Sequence, residues 1–318
     1  MLPLRRHQPS DAMAEFEPND VFLRPGELLS TGTFRVDKPM TAGGFAIIYE
    51  GTRLADGAPV AIKTLRSNAR MFDPVAYQRF EREAAVIEHL DHPNIVRTLG
   101  FGKTAAGALY MVLERLDGYT LLDIMFKEPL DEEFVREILG QTLNALVYAH
   151  DQHIIHRDIK PANLIICRAN EYPPYEEGTL KLLDFGFAKV LREIEGDSNA
   201  PLTLVGQAVG TPGYMAPETL KMGEVTPAAD LYSLGTIAYE LLTAQRAFEG
   251  EGIKRAINQA EGRRTPVPER LSESKLMPIV DRMMERKVKN RFANAREVLA
   301  ALEGSTPKIK RKWYRFGF

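Results

Sequence analysis

Two short stretches gather side chains suited to moving a charged group: His156-Arg157-Asp158-Ile159-Lys160-Pro161-Ala162-Asn163, and further on Asp184-Phe185-Gly186. Between them they bring two carboxylates, a lysine and a carboxamide to one small site. A carboxylate such as Asp158 accepts the proton of a hydroxyl nucleophile and aims that hydroxyl. Lys160, two residues later, is placed to meet the anionic group in transit. Asn163 and Asp184 are hard oxygen donors, the type Mg²⁺ takes alongside phosphate oxygens and water. Phosphoryl transfer asks for little covalent help beyond this; it needs positioning and the neutralisation of spreading negative charge. The plainer reading is a polar loop capping a sheet edge, which gives no reason for the two stretches to occur together.

These residues need a frame. Thr33–Met40 and Phe45–Gly51 read as two strands around a glycine turn, and Ala55-Asp56-Gly57-Ala58 as a second turn leading to Pro59–Leu65, an antiparallel meander of three strands. Asp73-Pro74 reads as the N-cap and first position of a helix running to about Leu90. Its apolar stripe is Phe80, Ala84 and Ile87, and Glu83 falls on the same inward face. A carboxylate facing a core demands a cation, since an unpaired buried charge is costly. His92-Pro93-Asn94 turns the chain into strands near Arg97–Phe101 and Leu109–Leu113. From Thr120 the pattern is helical. Asp131-Glu132-Glu133 opens a long helix with Val135, Leu139, Leu143 and Leu146 inward, which delivers the chain to the Asp158 loop. Thr226-Pro227 starts another, apolar on more than one face and therefore expected to be buried. Further helices are expected around 253–260, 275–286 and 293–302.

The run at 156–163, the Asp-Phe-Gly at 184–186, Val60-Ala61-Ile62-Lys63, and Gly210-Thr211 followed by Ala216-Pro217-Glu218 together resemble the eukaryotic-like (Hanks-type) serine/threonine protein kinases of bacterial type. The resemblance covers roughly residues 33–303. It implies an α+β, bilobed fold: a small five-stranded antiparallel N-lobe with one helix, and a larger, mainly helical C-lobe. It further implies transfer of the γ-phosphate of ATP, with Mg²⁺, to Ser/Thr hydroxyls of protein substrates. Asp158, Lys160 and Asn163 are then catalytic, and Asn163 and Asp184 hold the metal. The glycine-rich phosphate loop falls on Met40, Thr41, Ala42, Gly43, Gly44, Phe45 and Ala46, where Thr41 and Ala46 replace the first and third glycines of the family's pattern. Lys63 pairs with the α- and β-phosphates and answers Glu83. Ile48, Ala61 and Ile165 belong to the same nucleotide site. Leu113 is the gatekeeper beside the adenine pocket, and the backbone of the Glu114-Arg115-Leu116 hinge meets adenine, with Glu114 and Leu116 as the contacting positions. Asp230 is expected to hold the catalytic loop's backbone, and Arg291 to pair with Glu218. Thr98 departs from the family, standing where an apolar member of the stack joining the lobes is usual.

The bulk properties, 318 residues, 44% hydrophobic and a formal net charge of −2, suit a soluble globular protein with one large bilobed domain or two ordinary ones. That charge gives no reason to expect nucleic acid. Cys167 is the single cysteine, which excludes an internal disulfide, fits a reducing, cytoplasmic compartment and reads as strand packing. Residues 1–30 read as a flexible arm settling onto the domain around 22–29, 31–116 as the N-lobe, 117–303 as the C-lobe and 304–318 as a basic-aromatic tail. In that tail Lys308, Lys310, Arg311, Lys312 and Arg315 interleave with Trp313, Tyr314, Phe316 and Phe318, a composition suited to an anionic membrane surface or a docking partner. The stretch 167–178, with Pro173-Pro174 and three glutamates, reads as a surface loop or a docking element. Between Asp184 and Gly210 the hydroxyl residues are Ser198 and Thr203. Thr203 is favoured as an autophosphorylation site, its phosphate read by Arg157. Two other classes stay open: a pseudokinase scaffold, whose hallmark is loss of Lys63, Asp158, Asn163 or Asp184, and a small-molecule kinase of the aminoglycoside type, against which the 210–218 segment argues.

Overall fold

Along 34–37, 46–51 and 58–62 buried side chains alternate with more exposed ones, the period of a strand with one face inward. In a computed structural model, which describes residues 23–42, 46–65, 84, 87–104, 109–171, 174–175, 178–185, 213–220 and 225–304, these runs fold into an antiparallel sheet. Its strands are β1 (Leu28–Leu29), β2 (Phe34–Ala42), β3 (Ala46–Arg53), β4 (Ala58–Leu65), β5 (Thr98–Lys103) and β6 (Leu109–Glu114), in the order β1-β2-β3-β4-β6-β5. The edge strand β1 is a sixth beyond the five expected; two residues are too few to show a period. Gly26 N–H donates to the Val36 carbonyl and Val36 N–H to that of Glu27. Leu23 and Leu29 lie in the same core as Val36, Ile47, Tyr49 and Ile62. The chain therefore packs onto the sheet from Leu23, within the stretch expected as an arm.

Past Glu114 the chain enters β7 (Gly118–Thr120), the short α1 (Leu121–Ile124) and the long α2 (Glu132–Asp151). Gly118 is required where it stands: a Cβ there would lie 2.2 Å from the Ile166 carbonyl oxygen. Asp131 caps α2 by accepting Phe134 N–H, and Val135, Leu139, Leu143 and Leu146 are buried as their spacing predicts. The Asp158 loop follows, then β8 (Leu164–Cys167), a hairpin of β9 (Asn170–Glu171) and β10 (Pro174–Tyr175), and β11 (Leu180–Leu182). The second sheet runs β11-β8-β7. Buried Cys167 ends β8, and burial pushes its thiol up to about 12, so it is a packing group rather than a nucleophile.

Further helices among the described residues are α3 (Pro217–Leu220), α4 (Pro227–Thr243), α5 (Gly252–Glu261), α6 (Met277–Met283) and α7 (Ala295–Gly304), while most of the helix expected from Asp73 to about Leu90 lies outside the described residues. α4 is the axis of the larger core: every residue from Ala228 to Thr243 is buried. Gly235 lets α6 approach it, since a Cβ there would sit 2.7 Å from the Met283 Cβ. Two acids, Asp230 and Glu240, are carried inside by α4, and each must find partners there.

Candidate active site

Asp230 shapes the loop that carries Asp158. Its Oδ1 accepts the N–H of Arg157 at 2.9 Å, and its Oδ2 accepts the N–H of His156 at 2.9 Å and meets His150 Nε2 at 2.8 Å. Burial alone would raise this carboxyl, but the His150 hydrogen bond and the neighbouring His150, His156 and Arg157 groups hold it below its ordinary value. Two fixed N–H groups let Arg157 keep a left-handed backbone, φ 68°, which a non-glycine residue adopts only when its surroundings enforce it. His156 completes the bend. Its Nδ1 accepts Asp158 N–H at 3.2 Å, so the proton sits on Nε2, which donates to the Leu183 carbonyl at 2.6 Å. Its ring meets Phe185 edge-on, 4.6 Å between centroids.

The loop and the Asp184 strand are thereby fixed to each other. Leu183 N–H donates to the Asn163 carbonyl at 2.9 Å. Lys160 Nζ lies 2.7 Å from Asp158 Oδ2, and Asn163 Nδ2 donates to the Asp158 carbonyl at 2.9 Å and to Oδ2 at 3.2 Å. Across the cleft, Lys63 on β4 reaches Asp184 Oδ1 at 2.6 Å. Burial raises the Asp184 carboxyl, yet the ammonium of Lys63, with Lys160 and His156 behind it, keeps it below the usual value and so ionised. Asp184 also has a left-handed backbone, φ 62°. The site suits a hard divalent ion. Asn163 spends its amide nitrogen on Asp158, leaving its carbonyl oxygen, and Asp184 Oδ2 takes no hydrogen bond among the described residues.

The other expected site residues line the strands around this centre. Met40, Thr41 and Ala42 end β2, and Ala46 and Ile48 lie on β3, with Ile48 opposite Lys63. Ala61 lies opposite Leu113, and Ile165 opposite Lys181. Met40, Ile48, Ala61, Glu114, Leu116 and Ile165 are all half-buried, as the wall of a cleft should be. Glu114 donates its N–H to the Arg97 carbonyl at 3.0 Å, which fixes the end of β6 where the expected hinge begins. Thr98 is buried with its hydroxyl toward Met111 Sδ at 4.0 Å. The sulfur gives that hydroxyl a weak partner, which is how the apolar position takes a threonine. Gly43, Gly44, Phe45, Glu83 and Thr203 lie outside the described residues, as do Gly186, Thr211 and the 308–318 tail. The expected Lys63–Glu83 pair and the placing of the phosphate loop therefore fall outside them too.

Several ties hold the Gly213–Glu218 segment, among them Ser233 Oγ, which donates to the Tyr214 carbonyl at 2.7 Å. Glu218 makes a bidentate pair with Arg291, both contacts 2.7 Å, as expected. Tyr214 donates to Glu240 Oε2 at 2.7 Å, while Arg255 and Ala247 N–H hold Oε1 at 2.8 and 3.0 Å. Burial still pushes the Glu240 carboxyl up. Gln259 on α5 donates to the Met215 carbonyl. The sequence reading missed the Glu240 cluster and the buried Lys181–Glu114 pair. The available signal was a charged residue inside an otherwise apolar run, Lys181 between Leu180 and Leu182, and Glu240 before Leu241.

Comparison with known proteins agrees with this fold. The protein kinase domain family matches residues 34–301. Serine/threonine-protein kinase Pkn1 of Myxococcus xanthus is 34% identical over 275 residues, which is 86% of this chain and 38% of that protein. Serine/threonine-protein kinase PknB of Mycobacterium tuberculosis is 34% identical over 269 residues, 82% of this chain and 41% of that one. The chain thus spans less than half the length of these curated relatives. Among solved structures, the PknI kinase domain of Mycobacterium tuberculosis superposes with a TM-score of 0.65 at 22% identity, over 89% of this chain and all of that one. This likeness speaks for the fold alone. Rad53 1-466 in complex with AMP-PNP gives a TM-score of 0.66 at 26% identity, over 85% of this chain and 64% of that one.

Proposed function

The chain belongs to the protein kinase domain family, and from that premise we propose that it transfers the γ-phosphate of ATP to serine and threonine hydroxyls of protein substrates. The observation that carries this reading is the meeting of Asp158, Lys160 and Asn163 with the Lys63–Asp184 pair. Asp158 has one carboxylate oxygen engaged by Lys160 and Asn163; the other accepts the substrate hydroxyl's proton and aims the oxygen. Lys160 balances the charge gathering between that oxygen and the phosphoryl group. Lys63 orients Asp184 and presents a cation to the nucleotide phosphates. Mg²⁺, when held by the oxygens of Asn163 and Asp184, neutralises charge on the phosphates. A scaffold without transfer would be marked by loss of Lys63, Asp158, Asn163 or Asp184, and all four are present.

Three finer readings belong to the same proposal. Arg157, whose guanidinium has no partner among the described residues, reads a phosphate on Thr203. The 308–318 tail rests on an anionic surface, supported by five cations and four aromatic rings without an acid. The protein works in the cytoplasm, supported by its single buried cysteine; among the described residues no helix is long and apolar enough to cross a membrane. Mass-spectrometric mapping of phosphosites after incubation with Mg·ATP tests the reaction against an Asp158→Asn control. Sites on serine and threonine that vanish in the control are expected; phosphate appearing equally in both would refute the assignment.

A further inference from the structure

Lys181 occupies the middle of β11, three residues before Asp184, and is 5% exposed. A lysine is rarely taken so far from water without a dedicated partner. Its ammonium donates to Glu114 Oε1 at 2.8 Å and to the Ile95 carbonyl at 3.2 Å. Glu114 ends β6, at the point where the chain leaves the first sheet for the second. The same Oε1 accepts Arg97 N–H at 2.9 Å, while Glu114 returns its own N–H to the Arg97 carbonyl at 3.0 Å. The carboxylate is thus held by two donors, and its backbone is held with it.

Backbone bonds carry the connection in both directions. Val96 N–H donates to the Leu182 carbonyl at 3.0 Å, and Leu182 N–H to that of Asn94 at 2.8 Å. Beyond Leu182, Leu183 bonds the Asn163 carbonyl and Asp184 meets Lys63. The strand that presents the metal-type carboxylate is therefore tied, through one buried cation, to the strand end at which the nucleotide hinge proposed above begins. Neither charge can be released cheaply, because a lone charge in this interior has no water to fall back on.

We propose that Lys181 is a positioning residue that couples nucleotide binding at the Glu114 hinge to divalent-metal binding at Asp184. The coupling rests on the ATP and Mg²⁺ reading above. It is a free energy shared between two sites, so it shows as a gain in nucleotide affinity on adding metal, and in metal affinity on adding nucleotide.

The test measures the dissociation constant of ADP with and without Mg²⁺, by calorimetry, in wild type, Lys181→Met, Lys181→Arg, and the double variant Glu114→Gln/Lys181→Met. Nucleotide-free melting curves report folding separately. Where Lys181→Met alone unfolds the protein by stranding Glu114, the double variant removes both charges and keeps an acceptor for Arg97 N–H. In wild type Mg²⁺ tightens ADP binding. That gain is expected to fall about tenfold, within the usual range for linked sites, in whichever Met variant folds, and to be largely kept by Lys181→Arg. An undiminished gain in a folded Met variant overturns the proposal, and so does a wild type with no gain. Because affinity is read without transfer, a protein that binds Mg·ADP but phosphorylates nothing counts against the assigned reaction and leaves the coupling measurable.

Discussion

Replacing Asp230 with asparagine keeps the side chain's shape and removes one charge and one acceptor. Asparagine turned to keep its oxygen toward His156 N–H and His150 then sets an NH₂ group against Arg157 N–H, where Asp230 Oδ1 now accepts at 2.9 Å. A hydrogen bond to a charged group contributes about 1.5–3 kcal/mol, and a buried donor left unmade costs about 1–3 kcal/mol. Together these put the loss at about 3 kcal/mol after relaxation, or roughly 6–12 °C in melting temperature for a domain of this size. The effect on turnover should be larger than stability alone suggests. Arg157 holds φ 68° where Asp230 pins both its own N–H and that of His156. Once released it relaxes, and Asp158 moves with it; a displacement near 1 Å at a reacting group costs roughly 100-fold. Peptide phosphorylation at saturating Mg·ATP, run beside a melting curve, measures both. The pH dependence has a definite sign. Asp230 is lowered in the folded protein, so its contribution is present above the unfolded carboxylate value of about 3.9 and is lost as pH falls through the lower folded value. The asparagine variant should lose this acid-side slope. A folded Asp230→Asn protein with unchanged melting temperature and turnover would refute the reasoning.

Asp184→Asn and Lys63→Met should each abolish transfer in a protein that still folds, with the lower melting temperature in Lys63→Met, which leaves the Asp184 charge without its cation; wild-type turnover in either would remove them from the site. Activity of Thr203→Ala and Arg157→Ala should fall to the same level, singly and combined, if one reads the other's phosphate. Simple additivity would sever that link. Vesicles with anionic lipid should sediment the full chain at low salt and release it at high salt, at roughly 1 kcal/mol per basic residue near the surface. A chain ending at Gly304 that sediments equally would show that the tail is not responsible.

Much of the site was legible because its motifs are local. Asp158, Lys160 and Asn163 lie within six consecutive positions, and one turn of backbone is enough to bring them together. α2 was legible from its period and its Asp131 cap, since both depend on neighbours within four residues. The Asp230 anchor and the Arg291–Glu218 pair were legible only through the family resemblance; no spacing in the chain announces partners 73 residues apart. The tertiary structure alone decided where charges inside apolar runs would go. Lys181 reads in sequence as one polar step in an apolar strand, and its partner Glu114, 67 residues away, reads as a hinge acid. Glu240 likewise acquires Tyr214 and Arg255 only when α4, α5 and the Gly213–Glu218 segment close on it. The physical reason is the same in each case. Hydrophobic period says which face turns inward, whereas a buried charge is tolerable only if a distant segment arrives with its counterpart, and that arrival is a property of the fold.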